Sequence, residues 1–384
     1  MLNKHLVFIS YTLILIFLSF KNTFALNTIA EQAILFDMET NSVIFEKNSE
    51  DLMSPSSMSK LMTIYYIFKK IESGEVSLQD KFKVSKKAWK KGGSRMFINL
   101  NSLVTIDDLL KGIIVQSGND ACIAIAEGFS GSEELFAEEL NDLAREIGLT
   151  NSNFKNSTGW PDPDHLMTSK DLLTLSIRTI KDFPDLYKLY AEKEFTYNSI
   201  RQVNRNPLLF SDKNADGLKT GHTSLGGYGL AASSERNGRR LILIINGLKS
   251  SKQRKLESKR LMDIGFFQYS NFKLFNKDEI IDNLYVWNGK KKKLPVYTPV
   301  DISITVPKKL RKSLKFFLEF YSPLSVPIKK DQKVARLILK NKNNEFLKDF
   351  PVFSYVEVEE MNFIKKIIFK FNYLIFGDSI YEEK

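Results

Sequence analysis

The sequence predicts two folded parts: a larger one mixing helices with an antiparallel sheet, then a small all-β one. Three observations carry this. Helical apolar periodicity and β-prone runs alternate up to about residue 270. The sheet strands come from both ends of that segment, a hairpin near residue 35 and a strand series after residue 215. From about Phe275 the pattern changes to short alternating strands broken by Pro and charged turns.

The elements follow in chain order. "QAILFDMETNSVIFEKN" reads as a hairpin, with Ala33–Phe36 and Val43–Phe45 flanking the turn-forming "ETNS". "DLMSPSSMSKLMTIYYIFKK" (51–70) opens a helix around Ser56 or Ser57, just after Pro55. It is apolar almost all round, so it belongs inside the domain, and it ends before Gly74. "TIDDLLKGIIVQ" has Thr105 and Asp108 in capping-box spacing. A second helix, "NDACIAIAEGF", follows a break at Ser117–Gly118. Thr168–Pro184 is a capped amphipathic helix. "GLKTGHT", "GYGLAASSE" and "RRLILIING" read as strands, and "QRKLESKRLMDIGFFQY" closes the part as a helix.

The 384 residues carry 56 Lys+Arg against 45 Asp+Glu, a net charge of +11, which favours an anionic partner. Residues 1–25 read as a signal peptide rather than an uncleaved anchor: a basic start, an apolar run from Leu6 to Phe20, and small Thr23 and Ala25 before the cut. Export argues against nucleic acid as a partner. Cys122 is the single cysteine, so no intrachain disulfide can form. Near the C-terminus, "MNFIKKIIFKFNYLIFG" puts Ile364, Ile367, Ile368, Phe371, Leu374 and Ile375 on one helical face, with Lys365, Lys366 and Lys370 outside it. After the polar "VEVEE" linker this segment (361–376) fits a helix lying in a membrane interface; the other reading is a helix docked on its own protein.

Three short motifs carry chemistry. In Ser57-Met58-Ser59-Lys60, positions i and i+3 share a face, so the Lys60 amine can meet the Ser57 hydroxyl. Such a serine becomes a nucleophile when a base takes its proton, and a desolvated lysine can be that base. Lys219 near Lys60 would supply a second cation that keeps the base neutral. Ser117-Gly118-Asn119 lies at a break between helices, able to project into a cleft. Lys219-Thr220-Gly221-His222 lies on a strand and offers a cation and a hydroxyl suited to a carboxylate. With His5, His165 and His222 as the only histidines, a zinc peptidase is disfavoured, and a Ser-His-Asp triad would need His165 or His222.

S-x-x-K, S-x-N and K-T-G in this order form the serine-acylating set of penicillin-binding proteins and β-lactamases. With "SPSSMSKLMT", "IIVQSGNDACIAIAEG", "NADGLKTGHTSLGGYGLAAS", "EKEFTYNSIRQVNRNPLL" and the C-terminal helix, the chain resembles the low-molecular-mass penicillin-binding proteins of the D-alanyl-D-alanine carboxypeptidase family. The resemblance implies a serine β-lactamase-like α/β (α+β) catalytic domain over 26–270, an antiparallel sheet with flanking helices. A β-rich domain over 275–358 and an amphipathic anchor helix over 361–376 would follow. It implies Ser57 as nucleophile, Lys60 as base, Ser117 as proton relay, and Asn119 as binder of the substrate amide side that also holds Lys60. Lys219, Thr220 and Gly221 would form the carboxylate-side motif. His222 would serve the oxyanion hole through its backbone with Ser57, and Arg254 would lie near the carboxylate end. It implies no metal ion or organic cofactor.

The implied partners are peptidoglycan stem peptides, β-lactam antibiotics and a membrane surface, not nucleic acid. The implied place is the periplasmic face of the cytoplasmic membrane, held peripherally. The implied reaction removes the terminal D-alanine from pentapeptide stems. A D,D-endopeptidase or a β-lactamase on the same scaffold, or a non-catalytic wall-binding protein, are the alternatives. The middle motif reads S-G-N, and "NSTGWPDPDHLMT" offers Asp162 and Asp164 but no glutamate for a deacylating water, so slow release of bound penicillin is expected.

Overall fold

The computed structural model describes residues 26–377 and 379. The N-terminal segment read as a signal peptide lies outside the described residues.

The chain begins with the hairpin β1 (Gln32–Asp37) and β2 (Ser42–Lys47). A 3-10 turn over Ser56–Ser59 leads into α1 (Lys60–Glu72). The short β3 (Lys81–Lys83), α2 (Lys86–Lys90) and β4 (Leu103–Thr105) precede α3 (Ile106–Val115), α4 (Asn119–Ser130), α5 (Glu133–Glu146) and α6 (Ser169–Asp182). Thr105 caps α3 by accepting from Asp108 N at 3.1 Å, and Thr168 caps α6 by accepting from Asp171 N at 3.0 Å. A hairpin, β5 (Glu194–Tyr197) and β6 (Ile200–Val203), and the one-turn α7 (Leu208–Ser211) follow. Then come β7 (Ala215–Thr223), β8 (Gly227–Arg236), β9 (Arg239–Leu248) and α8 (Ser251–Gln268).

The main sheet has the order β2-β1-β9-β8-β7 and is antiparallel throughout. Strand periodicity builds its two cores. Leu241, Leu243 and Ile245 of β9 pack with Leu261 and Met262 of α8. Ile242 and Ile244, the alternate residues, face Leu61, Ile64 and Phe68 of α1 and Leu172 of α6. The near absence of a polar face on α1 is thereby explained: every residue from Lys60 to Phe68 is buried. β7 is an edge strand of this sheet, and it lies against the Ser56–Ser59 turn.

Beyond α8 the chain turns directly into β10 (Tyr269–Phe275), then β11 (Ile280–Trp287), β12 (Lys293–Tyr297), β13 (Ile302–Pro307), β14 (Lys315–Glu319), β15 (Leu324–Ser325), β16 (Lys333–Lys340) and β17 (Phe346–Ser354). They form a six-stranded sheet, β14-β16-β17-β12-β11-β15, and the pair β10-β13 around a separate apolar core.

The last helix is α9 (Phe363–Phe376), and no helix among the described residues is long and apolar enough to cross a membrane. The segment before it is not a free tether, as the polar "VEVEE" composition suggested. Val358 bridges Ile328, and Glu360 bridges Gly289. Phe369 and Tyr373 then dock edge-on against Trp287, with ring centroids 5.2 and 4.8 Å away. The docking face lies opposite the apolar stripe. Ile364, Ile367, Ile368, Phe371, Leu374 and Ile375 all remain more than half exposed.

Candidate active site

The site is assembled where the Ser56–Ser59 turn, the start of α4, the 155–165 loop and the edge strand β7 meet. Ser57 sits on the turn, one residue before Met58, whose side chain is fully buried. Lys60, the first residue of α1, reaches back to it. Its Nζ lies 3.0 Å from Ser57 Oγ, 2.8 Å from Asn119 Oδ1 and 2.5 Å from the Thr158 carbonyl oxygen. Asn119 is held in this orientation because its Nδ2 donates to the Gly92 carbonyl at 2.9 Å, which leaves Oδ1 toward Lys60.

Two of the three partners of Lys60 are oxygens that can only accept. A neutral amine has two N–H groups and one lone pair. In that neutral form Thr158 O and Asn119 Oδ1 take the two hydrogens and the lone pair faces Ser57 Oγ; in the ammonium form Nζ donates to Oγ instead. Burial lowers the Lys60 amine from 10.5 to about 8, with the cations Arg205 and Lys91 adding to the shift. Lys219 is also fully buried and is lowered well below its ordinary value, by burial first and then by Lys60 and Arg205. The cations that lower Lys60 are thus Arg205 and Lys91, not Lys219 as the sequence suggested; Lys219 is instead itself lowered, with Lys60 among the causes.

A cavity of about 230 Å³ opens beside Ser57, lined by Ser94, Ser117, Arg205, Thr220, Gly221, His222, Tyr228 and Arg254. Ser117 adopts a left-handed backbone (φ +64°), and its buried hydroxyl has no protein partner. An unpartnered hydroxyl at the wall of a polar cavity costs free energy unless a ligand satisfies it. Among the described residues Lys219 Nζ donates to the Thr220 carbonyl alone, at 3.2 Å. Arg254 projects from α8 under the strands, donating to Gly221 O at 3.3 Å and Gly229 O at 3.5 Å. Its guanidinium also lies over the Tyr228 ring, 5.6 Å from the centroid. His222 is exposed and stacks on Tyr228 with centroids 3.8 Å apart.

The glycine of K-T-G has a steric reason. A Cβ on Gly221 would stand 2.8 Å from Pro55 O and 3.1 Å from Met58 Cγ, so only glycine lets β7 approach the nucleophile's turn this closely. His165 is buried in the loop, where its Nδ1 accepts from Lys155 N at 3.2 Å, and burial lowers it to about 4. Among the described residues neither His165 nor His222 hydrogen-bonds Ser57: His165 faces its own loop and the His222 ring stacks on Tyr228. Asp162 is spent on its own turn, accepting from Asp164 N at 2.8 Å.

All nine sequence-derived residues, Ser57, Lys60, Ser117, Asn119, Lys219, Thr220, Gly221, His222 and Arg254, thus gather around one cleft. Sequence reasoning missed Arg205 and Ser94, whose Nη1 and Oγ lie 2.6 Å apart across the cavity wall. Arg205 stood inside "EKEFTYNSIRQVNRNPLL", but nothing local distinguishes it from the other arginines. The carbonyls of Thr158 and Gly92 were equally invisible, since backbone groups carry no sequence signal. Asp120, the residue after the S-G-N motif, was also missed. Its fully buried carboxylate accepts from Met96 N and Phe97 N, both at 2.9 Å, and fixes the 92–98 loop.

Comparison with known proteins agrees with this geometry. Residues 20–250 match the D-alanyl-D-alanine carboxypeptidase family, and 269–360 match the C-terminal domain of penicillin-binding protein 5. The D-alanyl-D-alanine carboxypeptidase DacA of Haemophilus influenzae is 35% identical over 315 residues, covering 80% of each chain. A crystal structure of penicillin-binding protein 5 from Haemophilus influenzae superposes with a TM-score of 0.76 at 32% identity, over 87% of this chain and 98% of that one. The ampicillin-bound form of penicillin-binding protein D2 from Listeria monocytogenes has a TM-score of 0.58 at 26% identity, over 63% of this chain and 99% of that one. The fold is that of the serine penicillin-binding proteins, and the chain belongs to the D-alanyl-D-alanine carboxypeptidase family.

Proposed function

We propose that the protein is a serine-type D-alanyl-D-alanine carboxypeptidase that removes the terminal D-alanine from peptidoglycan stem peptides through an acyl-enzyme on Ser57. The observation that carries the mechanism is the Lys60 amine, whose two acceptor-only partners leave its lone pair for the Ser57 hydroxyl 3.0 Å away. Lys60 takes the Ser57 proton as Oγ attacks the penultimate carbonyl. The oxyanion is stabilised by backbone amides of Ser57 and His222. Ser117 passes a proton to the nitrogen of the departing D-alanine, whose carboxylate lies among Thr220, Lys219, Arg205 and Arg254. Asn119 binds the acyl-side amide while holding Lys60. Water then attacks the ester and restores Ser57. A β-lactam, whose carboxylate and strained amide mimic the D-alanyl-D-alanine end, acylates the same serine.

The division of the chain belongs to the same proposal: a signal peptide over 1–25, a catalytic domain over 26–270, a β domain over 275–358 and a peripheral anchor over 361–376. The outward apolar stripe of α9, with Lys365 and Lys370 at its borders, supports attachment to the outer face of the cytoplasmic membrane.

The deciding experiment reads the intact mass of the purified protein after incubation with a penicillin, with Ser57→Ala beside it. A one-to-one adduct in the wild type alone is expected. Drug consumed without a lasting adduct would make the protein a β-lactamase. An intact drug and no adduct would leave a non-catalytic wall-binding protein. Release of monomers from cross-linked dimers would identify an endopeptidase.

A further inference from the structure

Beside the catalytic residues stands a pair, Lys91 and Trp160, that the proposed steps do not place against the substrate. The Lys91 amine stands over the Trp160 ring, 4.8 Å from its centroid. Each residue lies beside a carbonyl of the catalytic network. Lys91 directly precedes Gly92, whose carbonyl holds Asn119, and Trp160 follows Thr158, whose carbonyl holds Lys60, by two residues. Gly93 fixes how close they come. A Cβ at this left-handed position (φ +77°) would stand 2.8 Å from Asn119 Nδ2 and 3.0 Å from Trp160 Cζ3. Gly93 thus stands between the indole and Asn119, close to both, and the indole is still 44% exposed.

The path of a bound peptide follows from the two sides. The cavity lined by Arg205, Thr220, His222 and Arg254 takes the leaving residue and its carboxylate. The acyl half must leave Ser57 on the opposite side, across Asn119 and toward Trp160. What waits there is apolar ring surface and positive charge. Lys91 pairs with no carboxylate among the described residues, and the neighbouring Lys86 and Lys90 are exposed. Lys87 is the exception, being engaged by Glu133 and Glu134.

We infer that Trp160 and Lys91 form the subsite for the acyl half of the substrate and select a peptide with a free carboxylate on the residue before the attacked D-alanine. The indole packs along the aliphatic part of that residue, and the Lys91 amine meets its carboxylate. This rests on the carboxypeptidase reading and names the substrate class within it.

The test uses two peptides ending in D-alanyl-D-alanine that differ in the preceding residue alone, one with a side-chain carboxylate and one with the matching carboxamide. The full-length wild type should favour the acid in kcat/KM by roughly fivefold, the size of one partly screened ion pair. Added salt should erode that preference. In Lys91→Gln the ratio should fall to about one. Trp160→Ala should raise KM for both peptides with little change in kcat. An equal ratio in wild type and Lys91→Gln overturns the inference. So does an equal loss on both peptides with a displaced pH profile, because Lys91 would then act only through Lys60. A penicillin adduct on Ser57, formed in both proteins, keeps these failures separate from failure of the carboxypeptidase reading, which would show no adduct and no D-alanine released from either peptide and would overturn both.

Discussion

If Lys60 is the base, the pH dependence of acylation is set by its amine. The reactive form is neutral, so the rate is low below the folded-state value and rises as pH passes through it. With that value near 8, roughly a tenth of the protein is reactive at pH 7, about half at pH 8 and roughly nine-tenths at pH 9. The second-order rate constant for acylation by a fluorescent penicillin should therefore rise about fivefold from pH 7 to 8 and less than twofold from pH 8 to 9. A lysine at its ordinary value of 10.5 would give about tenfold in each interval. A rate still climbing tenfold between pH 8 and 9 refutes the buried-amine reasoning, and a flat profile refutes Lys60 as the base. The same shift has a stability side. Between pH 8 and 10.5 the unfolded chain binds more protons than the folded one, so stability rises with pH across that window, and below it the cost of burying the cation is fully present. Against Lys60→Met, which has no such cost, the wild type should gain about 2–3 kcal/mol between pH 7 and 10 in denaturant unfolding. No convergence or divergence of the two proteins with pH would sink the argument.

Three further substitutions probe the scaffold. Gly221→Ala drives a Cβ to 2.8 Å from Pro55 O, and overpacking of this kind costs about 1–3 kcal/mol, so both Tm and penicillin acylation should fall; an unaltered acylation rate would show that β7 can retreat freely. Asp120→Ala orphans the buried Met96 amide, costing about 1–3 kcal/mol, removes the acceptor of the Phe97 amide, and should loosen the Ser94 loop, read as faster amide exchange over 94–98. Trp287→Ala removes the rings' platform under Phe369 and Tyr373, so trypsin should cut faster at Lys365 and Lys366 while penicillin acylation stays as it was.

Much of the candidate site was legible because its chemistry is local in sequence. Ser57 and Lys60 are three residues apart on one helical face, and their meeting needs only helix geometry. Capping at Thr105 and Thr168 and the period-2 alternation of β9 are legible for the same reason, since each rests on contacts within a few residues. The fate of α9 was half legible. Its apolar stripe could be read from spacing, but that the opposite face docks on Trp287 depends on where β11 ends. The three motifs suggested a shared cleft only through their joint order. Their actual meeting depends on contacts across 59 residues, between Lys60 and Asn119, and 98 residues, between Lys60 and Thr158.

What the sequence alone determined, then, is the kind of chemistry: a serine one turn from a lysine, a polar break between helices, and a cationic strand edge. What only the tertiary structure decided is the state of the groups. Lys60 has a lowered pKa because the folded interior removes its water, and its lone pair is aimed because two distant carbonyl-type oxygens occupy its hydrogens. Arg205, Ser94 and the Lys91–Trp160 pair became visible for the same reason. Burial, orientation and electrostatic field are properties of neighbours in space, and residues far apart along the chain become neighbours only when it folds.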